Sequence, residues 1–347
     1  MNGVKPLLQT LKGEKQSMPP MWIMRQAGRY LPEYRAIREK VDFLTLCGTP
    51  ELACEVTLQP LRRFALDGAI LFSDILVPLV PMGMQLRFGK DHGPVFDNPI
   101  ESLQHVKALR HFQPGDCEFV GQALKLIKAE LPPEKTLLGF AGAPFTLASY
   151  MVEGQGTKNF LKIKSLMFHH PDVYRSLMDK LVTSTISYLE MQIRCGADAL
   201  QLFDSWGGQL SPEDYLEFAH PYAEKIIRHI QALGVPVIHF AKNGGGLWPV
   251  LREGTARGLG VSWEYPLSEA IEMVDSSICL QGNLDPAALF GPQDRLRNSV
   301  QQILNTMAAA PHPHIFNLGH GIYPQTPVEN VSVLVDYVKD PKNNPLV

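Results

Sequence analysis

Short runs of aliphatic, β-branched and aromatic residues recur along this chain, and a stretch with a helical pattern follows most of them. There are eight such runs, and their number constrains the fold more than any other feature of the sequence. They cover residues 21–25, 69–72, 137–141, 199–203, 236–240, 258–263, 278–282 and 314–318. Runs of this length and composition are typical of parallel strands that are buried on both faces of a sheet.

The segments between these runs favour helices, so that strands and helices alternate along the chain. The predicted helices cover residues 116–131, 171–195, 212–233, 248–254, 267–274, 295–308 and 326–338. Several segments begin with a capping residue and a proline, as in Ser211-Pro212, Asp285-Pro286 and Thr326-Pro327. Eight alternating units predict an α/β fold, and more specifically a single (β/α)8 TIM barrel.

The motifs of an open, doubly wound sheet do not occur in the sequence. A dinucleotide-binding sheet of that kind carries Gly-x-Gly-x-x-Gly after its first strand, and neither this motif nor the phosphate-binding Gly-x-x-x-x-Gly-Lys-Ser/Thr is found. No Ser- or Gly-rich linker divides the 347 residues. Barrels of this class span about 250 residues before insertions. Residues 1–347 are therefore predicted to form one catalytic barrel domain.

Charge, cysteine content and hydropathy exclude several classes of protein. The chain has 32 basic and 35 acidic residues, and a net charge of −3 gives no overall attraction to nucleic acid or an acidic membrane. Five scattered cysteines without a Cys-x-x-Cys pair argue against a disulfide framework and a structural zinc site. The start lacks the apolar segment of a signal peptide, and Asp74, Pro78 and Pro81 interrupt the most apolar stretch. A soluble cytoplasmic protein is predicted.

Polar residues follow almost every predicted strand, at the end where (β/α)8 barrels carry out their chemistry. The first strand ends in Arg25-Gln26-Ala27-Gly28-Arg29. The guanidinium group is a rigid fork that binds carboxylates with two hydrogen bonds, and Gly28 permits close approach of a ligand to the backbone amides of this loop. All five residues are therefore predicted to bind an anionic substrate.

Four further residues near strand ends are candidates for the site. Asp74 follows a buried run, where a carboxylate is costly unless it has a salt-bridge partner or a function. His320 lies between two glycines after the last strand, a placement that favours ligand contact over a structural role. Tyr150 fits either the core or the site. Ser205 lacks the Gly-x-Ser-x-Gly elbow of serine hydrolases and is predicted to be a hydrogen-bonding residue.

Six sequence segments together resemble the uroporphyrinogen decarboxylase family. They are MRQAGRYLPEY at 24–34, LFSDI at 71–75, GFAGAPFTL at 139–147 with Tyr150 just after it, QLFDS at 201–205, GNLDP at 282–286 and NLGHGIYP at 317–324. The resemblance implies a barrel that forms homodimers. It also implies that the protein removes carbon dioxide from the four acetate groups of uroporphyrinogen III, giving coproporphyrinogen III in heme or chlorophyll synthesis, without a metal or other cofactor.

The same resemblance places six of the candidate residues at the substrate: Arg25, Arg29, Asp74, Tyr150, Ser205 and His320. Asp74 and Arg25 are the expected catalytic residues. An ionised Asp74 would accept hydrogen bonds from pyrrole N–H groups and stabilise the cation that forms when the ring is protonated. The proton donor stays open among Arg25, Tyr150 and His320, because arginine is a poor acid.

Two other functions remain open at the level of sequence. Related barrels that transfer methyl groups between corrinoid and thiol bind zinc through a His-x-Cys pair, whereas this chain has His239-Phe240-Ala241 at the comparable strand. Single residues such as His239, Glu264 and Asp285 on separate strands are a weak metal signal. A non-catalytic barrel that binds a tetrapyrrole would need the same binding residues. The intact Asp74 and Arg25 favour an enzyme.

Overall fold

A computed structural model describes residues 3–88 and 93–347 of the chain. Seven parallel strands form one sheet in the order β1-β4-β5-β6-β7-β8-β9, and β2 and β3 form a separate antiparallel pair. The strands are β1 (Gly68–Ile70), β2 (Leu86–Phe88), β3 (Pro94–Phe96), β4 (Thr136–Gly142), β5 (Ala199–Asp204), β6 (Val237–Ala241), β7 (Gly258–Gly260), β8 (Cys279–Leu284) and β9 (His314–Leu318).

Helices connect the strands and cover the curled sheet, which makes the fold α/β. They are α1 (Pro6–Leu11), α2 (Pro32–Arg38), α3 (Phe43–Gly48), α4 (Pro50–Arg63), α5 (Leu79–Met82), α6 (Leu103–Ala108), α7 (Glu118–Glu130), α8 (Pro144–Glu153), α9 (Leu161–His169), α10 (Pro171–Arg194), α11 (Pro212–Phe218), α12 (His220–Ala232), α13 (Trp248–Leu251), α14 (Leu267–Met273), α15 (Gln293–Ala309) and α16 (Val328–Lys339). Short 3₁₀ helices follow β5, β6, β8 and α16. No helix of the described residues is long and apolar enough to cross a membrane.

Seven of the eight predicted strands are confirmed as members of the sheet. The prediction of a regular strand at residues 21–25 is wrong, because Met21 alone makes a bridge, a parallel one to Phe316. In this segment, side chains take the place of the backbone hydrogen-bond partners that a neighbouring strand would supply. The amide of Ile23 donates to Oε1 of Gln26 at 3.0 Å, and the amide of Met24 donates to Oδ1 of Asn317 at 2.9 Å.

The helix predicted for residues 212–233 is divided into α11 and α12 at Ala219. Pro221 explains the break, because proline lacks the amide hydrogen and its ring clashes with the carbonyl group four residues earlier. The antiparallel pair β2–β3 was not predicted from the sequence. Its strands have only three residues each and do not take part in the main sheet.

Close packing between helices and sheet sets the position of each strand. Nε2 and Oε1 of Gln192 on α10 pair with the backbone carbonyl and amide of Phe140 on β4, at 2.8 and 2.9 Å. A Cβ atom at Gly139 would lie 2.3 Å from the same Oε1, so glycine is required for this approach. Within the sheet, Nε1 of Trp22 donates to Gln281 at 2.8 Å, and Gln281 donates to Gln201 at 3.0 Å.

Asp67 ties three distant parts of the chain together at the amino end of β1. Its Oδ2 atom accepts from the amide of Met21 at 2.7 Å and from Nζ of Lys339 on α16, and Nζ of Lys135 lies 3.8 Å from Oδ1. The side chain is only 14% exposed. Removal of this carboxylate leaves the buried Met21 amide without an acceptor and takes the ion-pair partner from the half-buried Lys339, both of which cost free energy.

The Asp67→Ala substitution should lower the free energy of unfolding by about 2–3 kcal/mol, as expected for lost hydrogen bonds to a charged group. Urea denaturation followed by circular dichroism measures this change. Asp294→Ala is the matched control, because the Asp294 side chain is 96% exposed and pairs only with Arg297 in the described structure. The control should change stability by less than about 0.5 kcal/mol. Equal stability of the two variants would show that Asp67 does not anchor the segment at Met21.

Candidate functional site

A cavity of about 640 Å³ lies at the carboxyl ends of the strands. This volume is within the range of small-molecule sites. Its walls come from the loop after residue 24 and from the segments that follow β1, β5, β6 and β9. Eight of the nine predicted site residues line this cavity: Arg25, Ala27, Gly28, Arg29, Asp74, Tyr150, Ser205 and His320.

The backbone of Arg25 has φ = +64°, a left-handed conformation that is rare for residues other than glycine. Its side chain runs past Gly321, where a Cβ atom would lie 2.5 Å from Cδ of Arg25. Gly321 is therefore needed for the guanidinium group to enter the cavity. Arg29 is exposed at the mouth of the cavity, and Ala27 and Gly28 are half-buried between the two arginines.

Gln26 lies outside the cavity and is fully buried. Its backbone amide donates to the carbonyl of Ile23 at 2.8 Å, and its carboxamide accepts from Ile23 and donates to the carbonyl of Gly68 at 3.0 Å. Arg35 supports the same loop from outside, because its Nη1 donates to the carbonyls of Arg29 and Tyr30. Both residues support the loop, and neither side chain lines the cavity.

Asp74 faces the cavity just after β1, in the position predicted for a functional carboxylate. Its Oδ1 atom accepts from the amide of Leu76 at 2.8 Å. Burial raises the pKa of Asp74, while the Leu76 amide and the nearby Arg25 oppose this rise. No Lys, Arg or His in the described ranges forms an ion pair with it, so the salt-bridge interpretation is wrong for these residues. The carboxylate can accept hydrogen bonds from N–H groups or stabilise a cation.

Tyr150 and Ser205 line the wall beside Trp206. The rings of Tyr150 and Trp206 are 5.7 Å apart, and burial, with a smaller contribution from Asp74, raises the pKa of Tyr150 to about 12. Asp204, the residue before Ser205, points away from the cavity. It accepts from Oγ1 of Thr146 at 2.8 Å and from the hydroxyl of Tyr215 at 2.9 Å, and burial raises its pKa to about 6. Because the pKa of Tyr150 is raised and Ser205 carries an uncharged hydroxyl group, both residues can act as neutral hydrogen-bonding groups at pH 7.

His320 lies between two glycines that are both required by close contacts. A Cβ atom at Gly319 would lie 2.3 Å from the backbone nitrogen of Trp263, and Gly321 faces the Arg25 side chain. Burial lowers the pKa of His320 to about 3, and the positive charges of Arg25 and Lys242 contribute. The imidazole is therefore neutral at pH 7 and can donate one hydrogen bond and accept another.

Several cavity residues were not selected from the sequence. Lys242 follows β6, lines the cavity, and has its Nζ 5.7 Å from the centroid of the Trp206 ring. Three phenylalanines form an aromatic wall in which Phe43 lies between Phe72 and Phe88. The centroid of the Phe43 ring is 5.9 Å from that of Phe72 and 4.9 Å from that of Phe88. The sequence signal for Lys242 is a basic residue directly after a buried strand. The three phenylalanines carry no such signal, because core packing gives them the same pattern.

The described residues contain no group of three or more His, Cys, Asp or Glu side chains arranged to hold a metal ion. His239, the residue compared above with a zinc ligand, is buried and its Nε2 lies 3.5 Å from the hydroxyl of Tyr215. Burial lowers the pKa of His239 to about 4. Ala241, two residues after His239, is buried and has no metal-binding side chain.

Comparison with known proteins gives one consistent result for the sequence. The model of the uroporphyrinogen decarboxylase (URO-D) family matches residues 3–341. A uroporphyrinogen decarboxylase of Carboxydothermus hydrogenoformans is 46% identical over 96% of this chain and 95% of its own length. That of Trichlorobacter lovleyi is 47% identical over 94% of this chain and 95% of its own length. Among solved structures, a methyltransferase from Methanosarcina mazei has a TM-score of 0.78 at 20% identity, covering 96% of this chain and 97% of its own, which shows a common fold.

The His320 imidazole should not titrate between pH 5 and pH 8. Its pKa is lowered to about 3, so the ring binds a proton only at lower pH, well below the usual value near 6.5. Nitrogen-edited NMR of the imidazole groups measures this, with a His320→Gln variant to assign the signal. A His320 signal with a midpoint between pH 5 and pH 8 would show that the ring is better solvated or closer to a carboxylate than the structure indicates.

Proposed function

The chain belongs to the uroporphyrinogen decarboxylase family, a family of carboxy-lyases of tetrapyrrole biosynthesis, and we propose that the cavity at the carboxyl ends of its strands is the active site. The protein decarboxylates uroporphyrinogen. The proposal extends to the III isomer, with all four acetate groups converted to methyl groups to give coproporphyrinogen III. It requires no metal or prosthetic group, because a protonated pyrrole ring itself accepts the electrons released with carbon dioxide.

The position of Asp74 carries this proposal. Its carboxylate is half-buried in a cavity at the strand ends, its pKa is raised by burial, and one of its oxygens is held by the Leu76 amide. The remaining oxygen can accept from pyrrole N–H groups, which would draw the flexible macrocycle around the carboxylate. Protonation of a pyrrole carbon makes that ring cationic, and a fixed negative charge nearby stabilises the cation more than it stabilises the neutral substrate.

Arg25 and Arg29 are proposed to bind carboxylates of the substrate. Among the described residues, neither guanidinium group donates to a protein acceptor, so both are available to a ligand. Arg25 enters the cavity near Asp74 and is assigned to the reacting acetate group, whose C–C bond it would orient. Arg29, at the mouth, is assigned to peripheral carboxylates, together with the amides of Ala27 and Gly28.

Tyr150, Ser205 and His320 are proposed as neutral hydrogen-bonding partners of the substrate. The pKa of Tyr150 is raised to about 12 and that of His320 is lowered to about 3, so both groups are uncharged at neutral pH. Neutral groups bind a ligand carboxylate without adding charge that would oppose the ring cation. Gln26 is assigned a role in holding the loop, since its side chain and backbone amide are already bonded within the protein.

We also infer that the segment at Met21 closes the sheet into a (β/α)8 barrel of one domain. In support, Met21 bridges Phe316 of β9 on one side, and its carbonyl accepts from the amide of Asp67, just before β1, at 2.7 Å on the other.

A cytoplasmic homodimer is proposed as the working form. Leu161 and Phe168 support an interface, because they lie seven residues apart on α9 and are 68% and 54% exposed. Analytical ultracentrifugation tests the dimer, and a sedimentation coefficient of the monomer would contradict it.

Replacement of Asp74 by asparagine or alanine should lower kcat by at least about 10²–10³-fold, because the ring cation loses its fixed negative charge. The measurement is anaerobic turnover of freshly reduced uroporphyrinogen III by metal-stripped protein, with carbon dioxide and coproporphyrinogen as products. Asp294→Asn, on the exposed surface, is the matched control and should retain wild-type activity.

Two results would contradict the proposal in different ways. Wild-type turnover with an equally active Asp74→Asn variant would remove Asp74 from the mechanism and leave the decarboxylase function intact. Wild-type protein that binds the substrate but leaves all acetate groups in place would exclude decarboxylation of this substrate and favour a tetrapyrrole-binding barrel.

A further inference from the structure

We propose that Lys242 is a catalytic residue that gives the proton to the pyrrole α-carbon next to the ring carbon that bears the acetate group. The inference rests on the proposed function, since it concerns the same cavity and the same substrate. It follows from the placement of an ammonium group near Arg25, in the cavity that Asp74 also lines, with no protein partner among the described residues. None of the six residues that the family resemblance places at the substrate has this combination of position and acidity.

The backbone of Lys242 is held firmly at the end of β6. Its amide donates to the carbonyl of Asp204 at 3.2 Å, which continues the pairing of β5 with β6. Gly208 packs against the other side, where a Cβ atom would lie 2.5 Å from the carbonyl oxygen of Lys242. Because the backbone is fixed from two directions, the side chain is directed into the cavity beside Trp206.

The ammonium group of Lys242 has no hydrogen-bond acceptor or ion-pair partner in the part of the chain that the structure describes. It is half-buried, and its Nζ atom lies 5.7 Å from the centroid of the Trp206 ring. Lysine is usually solvated or paired when it is partly buried. The free ammonium is therefore placed to meet a group of the substrate.

The charges around Lys242 come from several elements and differ in sign. Burial in the cavity lowers the pKa of Lys242, and the positive charge of Arg25 lowers it further, whereas Glu264, after β7, raises it. Glu264 is exposed and held by a hydrogen bond from Ser262. His320, after β9, is neutral at pH 7 and feels the positive charges of both Lys242 and Arg25. Together these effects lower the pKa of Lys242, so its ammonium group is a stronger acid than that of a solvated lysine.

Other titratable side chains that line the cavity are Asp74, Tyr150, Arg29, Tyr30, Tyr34 and Tyr323. Burial raises the pKa of Tyr30 and of Tyr34, which makes both weaker acids than a solvated tyrosine. Arg25 is set aside because a guanidinium group is a poor proton donor. The pKa of Tyr150 is raised to about 12, and His320, with a pKa of about 3, carries no proton to spare at pH 7. Asp74 is needed in its ionised form to stabilise the cation. Lys242 is the remaining group that is both protonated and acidified.

Decarboxylation begins with proton transfer from Lys242 to the substrate. An N–H bond of the Lys242 ammonium breaks and a C–H bond forms at the pyrrole α-carbon next to the carbon that bears the acetate group. The ring becomes cationic, with positive charge shared by the acetate-bearing carbon, and the amine becomes neutral. The C–C bond to the carboxylate then breaks, its electron pair neutralises the ring, and carbon dioxide leaves an exocyclic methylene group. A solvent water molecule gives a proton to this methylene to form the methyl group and leaves as hydroxide, and the neutral amine of Lys242 takes back the proton from the ring α-carbon.

Two variants separate acid catalysis from simple attraction of a carboxylate. Lys242→Arg keeps the positive charge but holds its proton too tightly, and Lys242→Met removes both charge and proton. If Lys242 is the acid, both should lower kcat by about 10²-fold or more, while Lys242→Arg keeps a KM close to that of the wild type. Lys225→Met is the control, because Lys225 is on the surface and pairs with Asp179.

The pH dependence of kcat gives a second measure that does not depend on loss of activity alone. Only protonated Lys242 can act, so wild-type kcat should fall as pH rises through the pKa of this ammonium. In Lys242→Arg the guanidinium stays protonated throughout, and this alkaline decrease should be absent. Circular dichroism of each variant confirms that it is folded before the comparison is made.

Rescue of Lys242→Ala by added amines provides the decisive readout. Methylammonium and ethylammonium should restore turnover in proportion to their concentration, because they bring a transferable proton into the vacated space. Tetramethylammonium has the same charge and no N–H bond, so it should restore nothing. Equal rescue by tetramethylammonium, or wild-type kcat in Lys242→Arg, would overturn the inference while leaving the decarboxylase function standing. Absence of turnover by the wild-type protein would instead contradict the function itself.

Discussion

Parallel hydrogen bonding joins seven strands into one sheet, from Ile70 paired with Leu138 at one edge to Leu284 paired with Leu318 at the other. Because all these strands run in the same direction, their carboxyl ends meet on one side of the molecule. Residues separated by nearly 250 positions, such as Asp74 and His320, consequently line one cavity. Every feature of the site depends on this arrangement.

Close contacts at glycine define the shape of the cavity. Gly319 allows the chain after β9 to pass against Trp263, and Gly321 leaves the space that the Arg25 side chain occupies. Gly208 has the same role beside Lys242, where the loop after β5 lies against the end of β6. The flanking glycines of His320 thus serve the packing of two neighbouring residues. They bring the backbone close enough for charged groups from different strands to share a small volume.

Electrostatics inside the cavity differ from those of the whole molecule. The chain carries a net charge of −3, yet the cavity brings Arg25, Arg29 and Lys242 together with Asp74. Burial raises the pKa of the carboxyl and lowers the pKa of the ammonium, so that each group is poised closer to neutral pH than it would be in water. An anionic substrate with N–H donors suits this combination, because it supplies partners for both signs of charge.

Sequence alone determined the alternation of strands and helices, the strand ends that carry polar residues, and eight of the residues that line the cavity. These follow from local pattern, since buried strands need apolar runs and their ends need turns. Tertiary structure decided the rest. Gln26 is turned into the interior by hydrogen bonds to Ile23 and Gly68, residues 21–25 receive side-chain partners in place of a ladder, and Lys242 is acidified by burial beside Arg25. Each of these outcomes depends on groups brought close only by the folded chain, and no local pattern encodes their distance.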